Sequence, residues 1–414
     1  MTSASETAGV SAFLCLQEEE IMLLSLGFII VVGYLLGRLL SAMNLPSLIG
    51  YIIAGLIMGP SFFNLIDQST LDISSDLRRI ALMIILLRAG LNIDLQDLKK
   101  VGRPAILMSF LPATLEIIGT IILAPIFFGM SYLSAAILGA IVAATSPAVV
   151  VARMLDLMGK GYGKKKGVPQ MILAGSSMDD IFVIILFTAL TALAQTGEFH
   201  WLSMLSMPTS IILGIAGGLL VGWLLSLAIE KYQLSGGYPV ILSFGMAMLF
   251  DGIEKAMTGP IGFSALLAVM AMGFMMLRVN PVQAKSVQVG FNNLWQVFEI
   301  ILFVLVGASM SIESVKDSGL IAVVLIVLLL VFRGLGVLLS VLGTQLNKEE
   351  KAFAIFAYLP KATVQAAIGA VPLAMGLPNG QIILTISVVA ILVTAPLGAV
   401  LIDQTHNRLL RDDR

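Results

Sequence analysis

Apolar residues in this chain come in long blocks, unlike the one-in-two alternation of strands or the one-sided stripe of water-soluble helices. Ile21 to Leu40, Ala105 to Met130, Met171 to Ala194, Ile211 to Ile229 and Leu320 to Phe332 are nearly free of charge. A helix crossing ~30 Å of hydrocarbon needs ~20 such residues at ~1.5 Å each. Backbone polar groups cannot stay unpaired in lipid, which leaves helices or closed barrels. Blocks this long, without alternation, predict helices. Hydrophobic segments begin near Ile21, Ser47, Ile80, Pro104, Ser131, Pro169, Pro208, Tyr238, Pro260, Phe291, Leu320, Lys351 and Gln381. The pattern therefore predicts an all-α polytopic membrane protein with about 13 transmembrane helices. An extramembrane segment, 1–20, precedes the membrane domain, 21–404, and a cytoplasmic tail, 405–414, follows it.

Composition agrees. The 414 residues are 58% hydrophobic and 12% charged, where soluble domains are about half apolar and about a quarter charged. The connecting stretches are too short for a separate catalytic domain, and a net charge of −1 argues against nucleic acid as a partner. With a single cysteine, Cys15, no intrachain disulfide can form. No Lys or Arg precedes Glu20, so a secretory signal with a basic start is not expected. Basic residues also set an orientation. With the N-terminus outside, sixteen Lys and Arg, including Lys99, Lys100, Lys164, Lys165, Lys166 and Arg414, fall in cytoplasmic segments. Only Arg78, Arg79, Lys255 and Lys316 fall outside. This asymmetry predicts a multi-pass protein of the cell (inner) membrane with its N-terminus out and its C-terminus in the cytoplasm.

The two halves echo each other. Thr145-Ser146-Pro147 interrupts the fifth segment and Pro360-Lys361-Ala362-Thr363 the twelfth. The segment before each break holds one charge, Glu116 or Arg333. Glu116 to Arg333 and Ser146 to Thr363 are both separated by 217 positions. Six segments on either side of the seventh would then be inverted repeats, whose paired broken helices mark the substrate site in many secondary transporters.

Six ionisable side chains stand inside the segments: Glu116, Asp179, Asp180, Glu299, Arg333 and Lys361. Left alone they would cost about 15–20 kcal/mol, more than a fold's usual margin, so they must pair or face water. Asp180 lies twelve residues into its segment, about 18 Å deep and near midplane. Adjacent helical positions diverge by about 100°, so one aspartate faces an ion path while the other meets a partner. Two neighbouring carboxylates in a dry place resist joint ionisation, which suits exchange of a proton for a cation. A helix cap or a buried ion pair is the plainer reading of the pair. Ser176, one turn earlier, offers a hydroxyl. Pro147 lacks an N–H and disfavours helix at Ser146. The break is then either an ordinary kink or a source of cation-binding carbonyls and hydroxyls. Equivalent positions suggest a Glu116–Arg333 bridge, and Glu299–Lys361 is the second pair expected. All four charges suit either a structural or a transport role. Arg88, near a segment end, reads as snorkelling, and the Gly161–Lys166 loop as a topology signal or a contact for anionic lipid.

Ala144-Thr145-Ser146-Pro147-Ala148-Val149-Val150, Ser177-Met178-Asp179-Asp180 and Leu359-Pro360-Lys361-Ala362-Thr363-Val364-Gln365-Ala366 resemble motifs of the cation:proton antiporter superfamily, above all its NHA branch of Na⁺/H⁺ exchangers. The resemblance spans about Ile21 to Ile402. It implies a homodimer in which dimerisation helices, roughly 21–65 and 208–280, hold a mobile core, roughly 78–195 and 291–404. Crossed discontinuous helices would sit in that core, which would move like an elevator. It also implies that Na⁺ or Li⁺ and protons compete at Asp180, supported by Asp179, Thr145 and Ser146, with no cofactor. Electrogenic relatives carry lysine where this chain has Arg333, so the resemblance here favours a Glu116–Arg333 pair and electroneutral exchange. The alternatives are a K⁺/H⁺ exchanger and a Na⁺-coupled organic-solute symporter. An intramembrane aspartyl protease places its two aspartates on separate segments, so no enzyme is expected.

Overall fold

The computed structural model describes residues 3–43, 45–92, 102–196, 201–257 and 262–411. Lys99, Lys100 and Arg414, counted in the charge asymmetry, lie outside the described residues. Among those described, the chain is entirely helical: α1 (Ser3–Ala42), α2 (Ser47–Met58), α3 (Gln68–Asp72), α4 (Ser74–Leu91), α5 (Arg103–Met108), α6 (Leu111–Phe128), α7 (Tyr132–Val142), α8 (Pro147–Lys160), α9 (Val168–Thr196), α10 (Trp201–Lys231), α11 (Tyr238–Ala256), α12 (Ala265–Val279), α13 (Pro281–Ala308), α14 (Ile312–Ser340), α15 (Lys348–Ala357), α16 (Thr363–Ile368), α17 (Val371–Ala374) and α18 (Gly380–Leu409). Among the described residues, seven stretches are long and apolar enough to cross a membrane, and shorter apolar helices accompany them. Large apolar side chains stand on the outside of the long helices, among them Leu320 at 79% exposure and Ile126 at 73%. In water such a surface would drive aggregation; in a bilayer it meets lipid tails.

Helix boundaries follow local chemistry. Pro147 opens α8, where a missing N–H costs nothing. Gly161, at φ 85°, closes it in the left-handed conformation that a side chain would resist. Asn347 and Glu350 form a reciprocal capping box at the start of α15. Three positions depart from the sequence expectation. Arg78 and Arg79, assigned to an outer connection, lie in the second turn of α4, which begins at Ser74 instead of near Ile80. Arg88 does not snorkel into an interface: its Nε donates to Asn292 Oδ1 at 2.8 Å and its guanidinium covers the Trp295 ring.

Two groups of helices emerge from the packing. In one, α1 lies on α2, α2 on α13, α13 on α4, α4 on α12 and α12 on α10. Small residues let these backbones touch, as expected in lipid. A Cβ added at Gly55 would fall 1.9 Å from the Val304 carbonyl oxygen, and one at Gly307 would fall 2.2 Å from that of Ile52. In the other group, α6 packs on α14 and α7, α9 on α5, α7 and α8, and α18 on α14 and α15. We expect Gly55→Leu to destabilise the protein by about 1–3 kcal/mol through overpacking, whereas Gly27→Leu, with nothing within 4 Å of its added Cβ, leaves stability unchanged; thermal melting in detergent compares the two.

Candidate functional site

The chain leaves helical geometry twice in the middle of the second group, between α7 and α8 and again between α15 and α16. Ending α7 inside a membrane strands its last carbonyls, a group of partial negative charges without intrahelical donors. Each of those oxygens is met by a side chain from far along the sequence. Gln365 Nε2 donates to Ile141 O and Ala144 O, both at 2.9 Å. Lys361 Nζ donates to Val142 O, and Arg333 Nη1 to Ala143 O. The second break is tied in the same way: Arg333 Nε donates to Tyr358 O, and Ser146 N donates to Pro360 O at 2.8 Å. One arginine thus caps the broken ends of both α7 and α15.

The cations need anions in turn. Arg333 Nη1 lies 2.8 Å from Glu116 Oε2 and its Nη2 lies 2.9 Å from Asp179 Oδ2. Lys361 Nζ lies 2.6 Å from Glu116 Oε1. Asp179 Oδ2 also accepts from the Thr145 backbone N–H at 3.0 Å and the Thr145 hydroxyl at 2.7 Å. Glu116, Asp179, Arg333, Lys361, Thr145 and Ser146 are all fully buried, and Asp180 is 7% exposed. Asp180 makes no ion pair among the described residues. Among the described residues its buried Oδ1 has no hydrogen-bond partner, and neither has Asp179 Oδ1, Ser146 Oγ, Thr363 Oγ1 or Gln365 Oε1. Buried oxygens without donors among the described residues suit a desolvated hard cation.

The structure therefore brings Glu116 together with Arg333, and Asp179 with Thr145. It does not bring Glu299 to Lys361. Lys361 is taken by Glu116, while Glu299 lines a separate cavity of about 350 Å³ with Arg153, Asp403, Ser41 and Ser47. Helix faces decide this: Lys361 must reach the end of α7, and α13 presents Glu299 elsewhere. The carbonyls of residues 141–144, just before the break, each accept from a side chain. Ser176 Oγ turns back to Leu173 O at 3.2 Å. Sequence reasoning missed Gln365 as a bridge and Thr394, whose hydroxyl accepts from Lys361 N at 3.0 Å. Polar residues in otherwise apolar runs were the available signal. The Gly161–Lys166 loop is also anchored: Lys166 lies 2.7 Å from the buried Glu350.

Residues 27–404 match the family model described as sodium/hydrogen exchanger, transmembrane. The chain belongs to this sodium/hydrogen exchanger family. Similar relatives include the human sodium/hydrogen exchanger 9B2, 33% identical over 92% of this chain and 73% of its own. The human sodium/hydrogen exchanger 9B1 is 32% identical over 86% of this chain and 71% of its own. The fold also resembles that of the sodium proton antiporter MjNhaP1 from Methanocaldococcus jannaschii at pH 8, with a TM-score of 0.78, 21% identity, and coverage of 95% of this chain and 99% of that one. The exchanger is accordingly a transporter and not an enzyme, and the three motifs of the NHA-type resemblance lie within the matched span. Arg333→Met, which takes the guanidinium from two buried carboxylates and two carbonyls of the exchanger and leaves Asp179 without a counter-charge, should destabilise it by about 3–5 kcal/mol. Arg153→Met, whose partner Asp403 is half exposed, should cost under about 1 kcal/mol. Thermal melting of the purified variants ranks them.

Proposed function

We propose that this protein exchanges Na⁺ or Li⁺ for protons by alternating access, with Asp180 as the carboxylate for which cation and proton compete. The observation that carries this reading is the charge balance of the buried cluster. Three acids, Glu116, Asp179 and Asp180, face two bases, Arg333 and Lys361. Ionised, the unit carries one net negative charge, and the group without an ion-pair partner is Asp180. One Na⁺ or one proton on Asp180 brings the unit to neutrality. Moving a bare charge through hydrocarbon is costly, so the loaded unit crosses readily and the empty one does not. That asymmetry couples the two fluxes at one cation per proton and makes exchange electroneutral.

Each residue then has a role. Asp179, held by Thr145 and Arg333, fixes the geometry beside Asp180 and offers its free Oδ1. Ser146 Oγ and Thr363 Oγ1, buried and without a partner among the described residues, would complete the cation's shell. Glu116, Arg333 and Lys361 hold the two broken helices together and set the charge. The moving unit is α5–α9 with α14–α18, riding on a scaffold of α1–α4 and α10–α13. Backbone contacts at Gly90 and Gly307 favour placing α4 and α13 in the scaffold, which moves the core boundaries from 78 and 291 to about 103 and 312. Inverted repeats, a homodimer joined through the scaffold and an N-out, C-in orientation accompany this mechanism.

The experiment is proton movement in proteoliposomes on addition of Na⁺, Li⁺ or K⁺. Wild-type protein should respond to Na⁺ and Li⁺, Asp180→Asn should fall to background while folded, and Glu299→Gln should still transport. Because bound cation requires a deprotonated carboxylate, apparent KM for Na⁺ should rise up to about tenfold per unit fall in pH. An imposed membrane potential should leave the rate unchanged. Na⁺-driven proton flux through Asp180→Asn would overturn the assignment; a response to K⁺ alone would make the chain a K⁺/H⁺ exchanger.

A further inference from the structure

The α2 helix leads from the Glu299 cavity at its first residues toward the opposite end of the bundle, where α3 and α4 begin. There, a second cavity of about 450 Å³ opens between α4, α9, α10–α12 and α16–α17. Its walls are largely apolar, from Phe187, Phe263, Leu266, Ala370 and Val371, and its charges are Arg78, Arg79, Lys255, Asp76 and Glu254. Most of these are balanced. Arg79 pairs with Asp251 and lies 3.2 Å from Glu254. Lys255 lies 3.0 Å from Asp251 and 4.0 Å from Asp76. Glu254 Oε2 also accepts from Ala265 N at 2.7 Å.

Arg78 is different. It is only 9% exposed, and its one hydrogen bond among the described residues runs from Nη1 to the Ser309 hydroxyl at 2.7 Å. No described carboxylate pairs with it. A buried guanidinium facing only a neutral hydroxyl is far from satisfied, because it carries five donors and a charge. The partner that answers it is an oxyanion, whose planar or tetrahedral oxygens match the fork of N–H groups.

We propose that this cavity binds an amphiphile with an oxyanion head, a carboxylate or phosphate, which meets Arg78 while its apolar body lies against Phe187, Phe263 and Val371. The volume falls in the range that holds small molecules. Two sources share this chemistry: a free fatty acid and the headgroup of an anionic phospholipid. Binding stands apart from the exchange reading. Only the effect on transport rests on it, because the walls come from both the scaffold and the moving unit, so an occupant would lock the two together and slow exchange.

The test uses the full-length protein with decanoate, decanol and inorganic phosphate as separate probes, read by native mass spectrometry and by thermal melting. Decanoate should bind one per chain and raise the melting temperature, with decanol and inorganic phosphate binding at least tenfold more weakly. Arg78→Gln should weaken decanoate at least tenfold. Ala374→Trp fills the cavity from an exposed lining position and should block decanoate without touching Arg78, which keeps the test decisive if Arg78→Gln folds poorly. Nanodiscs of phosphatidylglycerol against phosphatidylcholine separate the sources. Protection by phosphatidylglycerol identifies a lipid headgroup, and protection by decanoate alone identifies a free acid. Equal binding of decanoate and decanol, or undiminished decanoate binding by folded Arg78→Gln or Ala374→Trp, would overturn the proposal.

Discussion

A helix that stops inside a membrane leaves backbone carbonyls with no water to turn to, and the architecture depends on how this chain answers that constraint. The oxygens of residues 141–144 are met in full by Gln365, Lys361 and Arg333. Supplying those donors meant burying two cations, and burying cations required buried acids. Glu116 and Asp179 follow as counter-charges. The ion-pair cluster is thus less a source of stability in its own right than the consequence of breaking two helices at one depth, since a buried pair seldom outperforms an apolar packing of equal volume. What such breaks provide is a place where hydroxyl and carboxylate oxygens can stand free of helical hydrogen bonding.

The rest of the molecule divides in service of that centre. One group of helices is closed up by glycines at backbone contact, as at Gly55, Gly90 and Gly307. The other also brings backbones together, as at Gly336 against Pro112, and adds the side chains that converge on Arg333. Contacts of backbone on backbone tolerate little sliding, because no rotamer can absorb a displacement. Side-chain networks that share a single hub move as one piece if the hub moves with them.

Much of this was legible in the sequence, for identifiable reasons. Long apolar blocks forecast the spanning helices because the requirement for internal hydrogen bonding in lipid leaves no competing structure. The breaks were visible because proline writes its own signature, and the Glu116–Arg333 relation because a charge in an apolar run is conspicuous. What was not legible depended on facing. Lys361 has Glu116 and not Glu299 as its partner because helix rotation, which the sequence does not state, decides which charges meet. Arg78 and Arg79 looked like connecting residues because charge alone does not distinguish a loop from the first turns of a helix. The capping of α7 was hidden for a simpler reason: its donors lie 190 to 224 residues from the oxygens they satisfy.

That separation has a consequence for how the protein is made. Glu116 enters the bilayer during synthesis, but Arg333 follows 217 residues later. At ~5–20 residues per second, the carboxylate waits roughly 10–45 s with neither of its counter-charges yet synthesised. Through that interval the nascent chain must shelter it, with α6 kept out of open lipid. The amino-terminal half alone is therefore an incomplete membrane protein, a natural substrate for quality control, and it becomes a settled structure only when the last third of the chain arrives.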